Sequence, residues 1–206
     1  MYRGRVPIDA VSRLQRLKAH NTPAVVVVVY GNRAYEDALL ELRDLASEVG
    51  FKPIAGGVFI GEHSYSTEET PIASGRPDKK DLKKAVEFGK EIQEKMGEVG
   101  TPEDLPRLQI PGNYPYRERS KRSEAISPIT KEEQCIKCGK CVEVCPTAAI
   151  IIDTLVITEQ DACIRCCACV KNCPTNARVM EHPQVKNAAK RLSTNCSERK
   201  EPETYM

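Results

Sequence analysis

Hydrophobic and polar positions change period several times along the chain. From Pro7 to Lys18, Ile8, Val11, Leu14 and Leu17 recur at threes, which predicts one buried face of a helix with Pro7 in its first turn. Ala24 to Tyr30 carries five consecutive valines, poor in a helix and good in a strand. The run does not alternate, so it predicts a strand buried on both faces, as in the middle of a parallel sheet. Ala34 to Val49 returns to helical spacing through Ala38, Leu39, Leu42, Leu45, Ala46 and Val49, and Gly50 ends it. Lys52 to Ile60 reads as a second strand, weakened by Gly56-Gly57. A polar loop, Gly61 to Pro77, follows. Asp78 is expected to cap a long helix to about Met96, with Leu82, Ala85, Val86, Ile92 and Met96 inward. Helix–strand–helix–strand–helix is the order of an α/β layered region.

Periodicity then fades. Gly100 to Ser127 holds Pro102, Pro106, Pro111 and Pro115 among many charges, and reads as an extended, solvated linker. Arg117, Arg119, Lys121 and Arg122 cluster in it, and docking of an acidic partner is the alternative. Further on, Ile150 to Ile152 and Leu155 to Ile157 flank Asp153-Thr154, a short hairpin. Gln184 to Leu192 has one apolar helical face. The tail, Ser197 to Met206, is highly charged and expected to be partly mobile.

The cysteines change the picture most. Cys135, Cys138, Cys141 and Cys145 are followed by Pro146, and Cys163, Cys166, Cys169 and Cys173 by Pro174. Both sets have the spacing C-x2-C-x2-C-x3-C-P. The second copy lies 28 positions after the first, and Ile136, Val142, Thr147 and Ala149 recur as Ile164, Val170, Thr175 and Ala177. Such a duplication predicts two half-domains about an internal two-fold axis. The run closely resembles that of two-cluster bacterial ferredoxins. The resemblance implies two [4Fe–4S] clusters and a crossover of the fourth cysteine. Cluster I would then take Cys135, Cys138, Cys141 and Cys173, and cluster II Cys163, Cys166, Cys169 and Cys145. Zinc is the rival, although a zinc site closes four ligands on one ion. Cys167 aligns with Gly139 and so falls outside the ligand register. Cys196 has no C-x2-C partner, and His20, His63 and His182 are scattered.

Composition narrows the setting. The chain has 206 residues and 40% apolar content, room for one to two domains. A formal charge of +2 is too weak to argue for nucleic acid. Met1 to Ala10 is polar and does not read as a signal peptide, and no apolar run would span a membrane. With ten cysteines, these features lead us to expect a cytoplasmic protein of an oxygen-poor cell rather than a secreted disulfide scaffold.

A second resemblance covers residues 1–97. The segments Tyr2-Arg-Gly-Arg-Val-Pro7 and Val29-Tyr-Gly-Asn-Arg-Ala-Tyr35 resemble the flavin-bordering loops of flavodoxin-like domains, as fused to ferredoxins in iron–sulfur flavoproteins of anaerobes. This implies a flavodoxin-like half domain in which Tyr2, Gly4, Tyr30, Gly31, Asn32 and Tyr35 would border FMN. The family's first three strands and its phosphate loop would lie upstream of Met1, so the anion cradle for FMN is missing. The valine strand would also have an open edge. A partner chain could complete the sheet, a second copy or local cover could close it, or the sequence could start late or be a remnant.

The expected fold class is therefore α/β plus α+β: a truncated flavodoxin-like region (1–99), a linker (100–128), a two-cluster ferredoxin-like domain (129–182) and a C-terminal helix and tail (183–206). The expected function is transfer of single electrons between redox protein partners. The alternatives are a flavin-containing oxidoreductase completed by a partner chain, and a cluster-stabilised regulatory or interaction module.

Overall fold

The structure, a computed structural model, describes residues 4–98, 101, 105–119 and 125–206. The chain is mixed α/β with small sheets and divides into two units. One gathers Met1–His63, Ala73–Ser120 and Cys196–Met206, and the other Ser64–Ile72 and Lys121–Asn195.

The first unit is built on a three-stranded sheet. Strand β1 (Thr22–Tyr30) runs parallel to β2 (Phe51–Ile60), and β7 (Glu203–Tyr205) pairs antiparallel with the other edge of β2. Helix α2 (Ala38–Glu48) connects β1 to β2. It covers one face through Leu39 and Ala46, which pack on Val26, Val28, Val58 and Ile60. Helix α1 (Ile8–Leu14) is shorter than its periodicity predicts and packs Val11 against Leu45. Helix α2 starts later than predicted because Asn32 and Glu36 take left-handed backbone, at φ 64° and 47°.

Two burial patterns depart from the sequence reading. The valines of β1 alternate: Val26 and Val28 are buried, whereas Val25, Val27 and Val29 are 39%, 43% and 51% exposed. Helix α3 (Lys79–Glu98) lies against β2, and the outer face of β1 stays open. Its Phe88 sits over Gly57, where a Cβ would come within 3.0 Å of the ring. The helix itself is rotated from its predicted face. Asp81 and Phe88 are buried, while Leu82, Val86 and Met96 are exposed. Its start explains the rotation. Asp78 Oδ1 accepts the N–H groups of Lys80 and Asp81, and Asp81 Oδ2 accepts that of Asp78, a reciprocal cap. Arg76 pairs with Asp81 and draws that side inward.

The proline-rich stretch is not a solvated linker over its described part. Leu108 belongs to the core of the first unit. Asp37 accepts the N–H groups of Asn113 (2.8 Å) and Arg117 (2.7 Å), and Tyr116 donates to Asp44 at 2.7 Å. Arg117 and Arg119 pair with Glu36 and Glu41. Lys121 and Arg122 lie outside the described residues. The tail is likewise ordered: β7 extends the sheet, and Arg199 pairs with Asp78.

The second unit is a duplicated fold. Strand β3 (Ile129–Thr130) pairs with β6 (Arg178–Val179), and β4 (Ile150–Ile152) with β5 (Val156–Thr158). The registers are related by the 28-residue repeat. Ile129 faces Val179 and Thr130 faces Arg178, as Ile157 faces Ile151 and Thr158 faces Ile150. Helices α4 (Lys140–Glu143) and α5 (Ala168–Lys171) are a second repeated pair. The loop Ser64–Ile72 joins this unit: Ser66 accepts a bond from Lys171, and Pro71 one from Ser193 of α6 (Pro183–Asn195).

Candidate metal centres

Three left-handed residues shape each cysteine loop. Lys137, Gly139 and Ala148 have φ of 50°, 79° and 52°, and their repeat mates Arg165, Cys167 and Asn176 have 58°, 56° and 55°. These reversals fold the tightly spaced cysteines around a hollow. Helices α4 and α5 then carry Cys141 and Cys169, and the C-P steps turn the chain toward the other half.

The result is two small hollows open to solvent. Cys135, Cys138, Cys141 and Cys173 line the first. Cys145, Cys163, Cys166 and Cys169 line the second, with Cys167 beside them. Each cavity thus gathers three cysteines of one run and the last cysteine of the other. Apolar cover comes from the β4–β5 hairpin: Ile150 lines the second cavity, and Ile152 and Val156 the first.

The thiols differ in environment. Burial pushes Cys145 up, but the backbone N–H groups of Thr147, Ala149 and Ala148 and the Thr147 hydroxyl outweigh it and hold the thiol below its ordinary pKa. The Ala149 N–H donates at 3.2 Å. Cys173 is held down in the same way, against burial, by the N–H groups of Arg178, Thr175 and Ala177. Burial wins at Cys141 and Cys169, which are raised despite Arg178. Cys167, 3% exposed, is pushed up to about 12 by burial and then by Cys169, Cys166 and Cys163. Such a thiol is poorly reactive.

These residues fit an iron–sulfur cluster. Four thiols face one hollow, N–H donors aim at sulfur, and apolar side chains limit water. Among the described residues, no group of three or more His, Cys, Asp or Glu closes on a single-ion site.

The described residues expected to border a flavin are engaged within the chain. Tyr2 lies outside the described residues. Gly4 is closed off by Glu36, and Gly31 by the His63 ring. Tyr30 is a core residue at 4% exposure. The Asn32 amide is taken by the chain's own tail, donating to the carbonyls of Cys196 (2.8 Å) and Glu198 (2.7 Å). Tyr35 donates to Glu203 at 2.8 Å and shares a hydrogen bond with Tyr205. The tail thus occupies the hydrogen-bonding groups of Asn32 and Tyr35.

Sequence reasoning missed Arg178, which lines the first cavity and is 2% exposed. The signal was present in the repeat: 28 positions earlier stands Ile150, so a buried cation replaces a buried apolar residue. Of the histidines, His182 accepts the Gln184 N–H at 3.3 Å at the start of α6.

No curated protein matches the chain. Among the described residues no helix is long and apolar enough to cross a membrane. A family model described as a 4Fe-4S binding domain matches twice, over residues 128–151 and 156–179. Those two stretches are similar to 4Fe-4S binding motifs and support a two-cluster, ferredoxin-like region suited to iron–sulfur electron transfer.

Proposed function

We propose that the chain is an electron carrier, or the electron-transfer subunit of a larger oxidoreductase, holding two [4Fe–4S] clusters in crossed cysteine sets. Cys135, Cys138, Cys141 and Cys173 hold one, and Cys163, Cys166, Cys169 and Cys145 the other. The observation that carries this reading is the gathering of those two sets around separate cavities.

When bound, the clusters supply reversible one-electron chemistry. The chain's own residues do the rest. Cys145 and Cys173, kept toward thiolate by backbone donors, tie each half to the other. Ile150, Ile152 and Val156 exclude water and so set the cost of adding charge. Loaded with clusters, each site would take one electron from a reduced redox protein and pass it to an oxidised one, with no bond in the chain made or broken. The setting we propose is a cytoplasm poor in oxygen.

The first unit supplies association rather than flavin chemistry in this account. β1 has β2 as its single neighbour among the described strands, and Val25, Val27 and Val29 form an open apolar stripe symmetric about Val27. A second copy packed on that face would cover the stripe, and pairing along the free edge would satisfy its backbone groups.

Anaerobic titration of the loaded chain with a reduced viologen tests the function. The chain should accept two electrons and return both to an oxidised acceptor. Uptake of none, or an iron–sulfur signal that does not change on reduction, would favour a structural or regulatory module instead.

A further inference from the structure

Arg178 is among the most buried charged groups of the chain, at 2% exposure. Its guanidinium donates to Thr130 Oγ1 (2.6 Å), Thr158 Oγ1 (2.8 Å) and the Pro128 carbonyl (3.2 Å). It also reaches Cys169 Sγ at 3.8 Å. The three oxygens are all neutral, and Nε has no partner. Among the described residues no carboxylate pairs with this side chain. A buried charge without a counter-charge is costly, and the groups beside it that can carry the opposite sign are the thiols of Cys141 and Cys169.

The position is specific. Thr130 and Thr158 are mates in the 28-residue repeat, so the guanidinium is tied to both halves alike, near their internal two-fold axis. It lines the first cavity while touching Cys169, which lines the second. The repeat mate of Arg178 is Ile150, so the axis region carries one cation and not two.

We propose that Arg178 is the buried counter-charge shared by the two metal centres, and that it raises the reduction potential of both. This rests on the iron–sulfur reading above. Cysteines that hold iron are thiolates, and each added electron deepens the negative charge at the site. A fixed cation in a dry position stabilises the reduced form more than the oxidised form. Lys137 and Lys140 also line the first cavity but are partly solvated, so their effect is screened.

The test uses the full chain, loaded anaerobically, with iron and sulfide counted and potentials followed by EPR. Counts on the unmodified chain test the iron–sulfur reading by themselves. Arg178→Met with a full iron complement should have both potentials lowered, each by at least the equivalent of a tenfold change in equilibrium, about 59 mV for one electron. Lys140→Gln should shift them far less. A fully loaded Arg178→Met protein with unmoved potentials overturns the proposal. If Arg178→Met holds no iron, Arg178→Lys decides. It keeps the charge but loses the fork of hydrogen bonds. Iron retained near the original potentials supports the proposal. Loss of iron, or potentials that fall despite the retained charge, assigns Arg178 to hydrogen-bonded scaffolding and overturns it.

Discussion

Cys145 and Cys173 each belong to one half of the duplication by sequence and line the cavity of the other. In this arrangement Cys145→Ser removes a ligand from the second site, not from the first. Iron analysis of that variant should show the set containing Cys163 emptied or converted, with the set containing Cys135 retained. Loss confined to the first set would refute the crossed arrangement. Cys167 makes a second case. It holds a left-handed backbone at φ 56°, where its repeat mate is Gly139. A non-glycine residue there costs about 1 kcal/mol. Cys167→Gly should therefore keep its full iron complement, with a thermal midpoint equal to or above that of the parent. A loss of iron would give Cys167 a ligand role. The repeat made the cysteine sets legible in the sequence because metal-ligand spacing is local. At Arg178 the mismatch with Ile150 was legible in the repeat, but its burial was not, since burial of a charge depends on what surrounds it in space.

At the scale of elements, α2 is the organiser of the first unit. Glu41 and Asp44 of the helix, with Glu36 and Asp37 just before it, hold the proline-rich stretch through N–H groups, arginines and Tyr116. Burial pushes each of these carboxyls up, yet the donors prevail and all four sit below their ordinary pKa. A lowered folded pKa gives stability that is present above the unfolded value, about 4. That stability is lost as pH falls through the lowered values. Protection from hydrogen exchange across residues 107–119 should therefore fall steeply below about pH 4. Asp37→Asn, which weakens three hydrogen bonds to the stretch, should loosen it at neutral pH by about 2 kcal/mol. Exchange insensitive to both changes would mean that Leu108 and its neighbours hold the stretch unaided. The sequence placed the main helices and strands of this unit but misjudged faces and connections. Periodicity told that α3 is amphipathic, and the reciprocal Asp78–Asp81 cap and Arg76 decided which side turned in. Charge and proline content suggested a solvated linker and a loose tail, but their polar groups found partners far along the chain, which local composition does not encode.

For the whole molecule, the open face of β1 is the feature that isolated folding leaves unexplained. Light scattering after size exclusion should find a dimer, and Val27→Lys should give monomers that keep their iron. A monomeric parent chain would remove association from the account and leave the electron-transfer reading intact. The expected flavin is absent from the proposal for a physical reason: Asn32 and Tyr35 are engaged by the C-terminal segment. The strongest part of the account remains the two hollows lined by thiols. Its most direct test is iron and acid-labile sulfide per chain after anaerobic loading, with zinc counted in the same sample. The account expects about eight irons and eight sulfides per chain. A chain that holds zinc in their place, or about four irons when fully loaded, would contradict it.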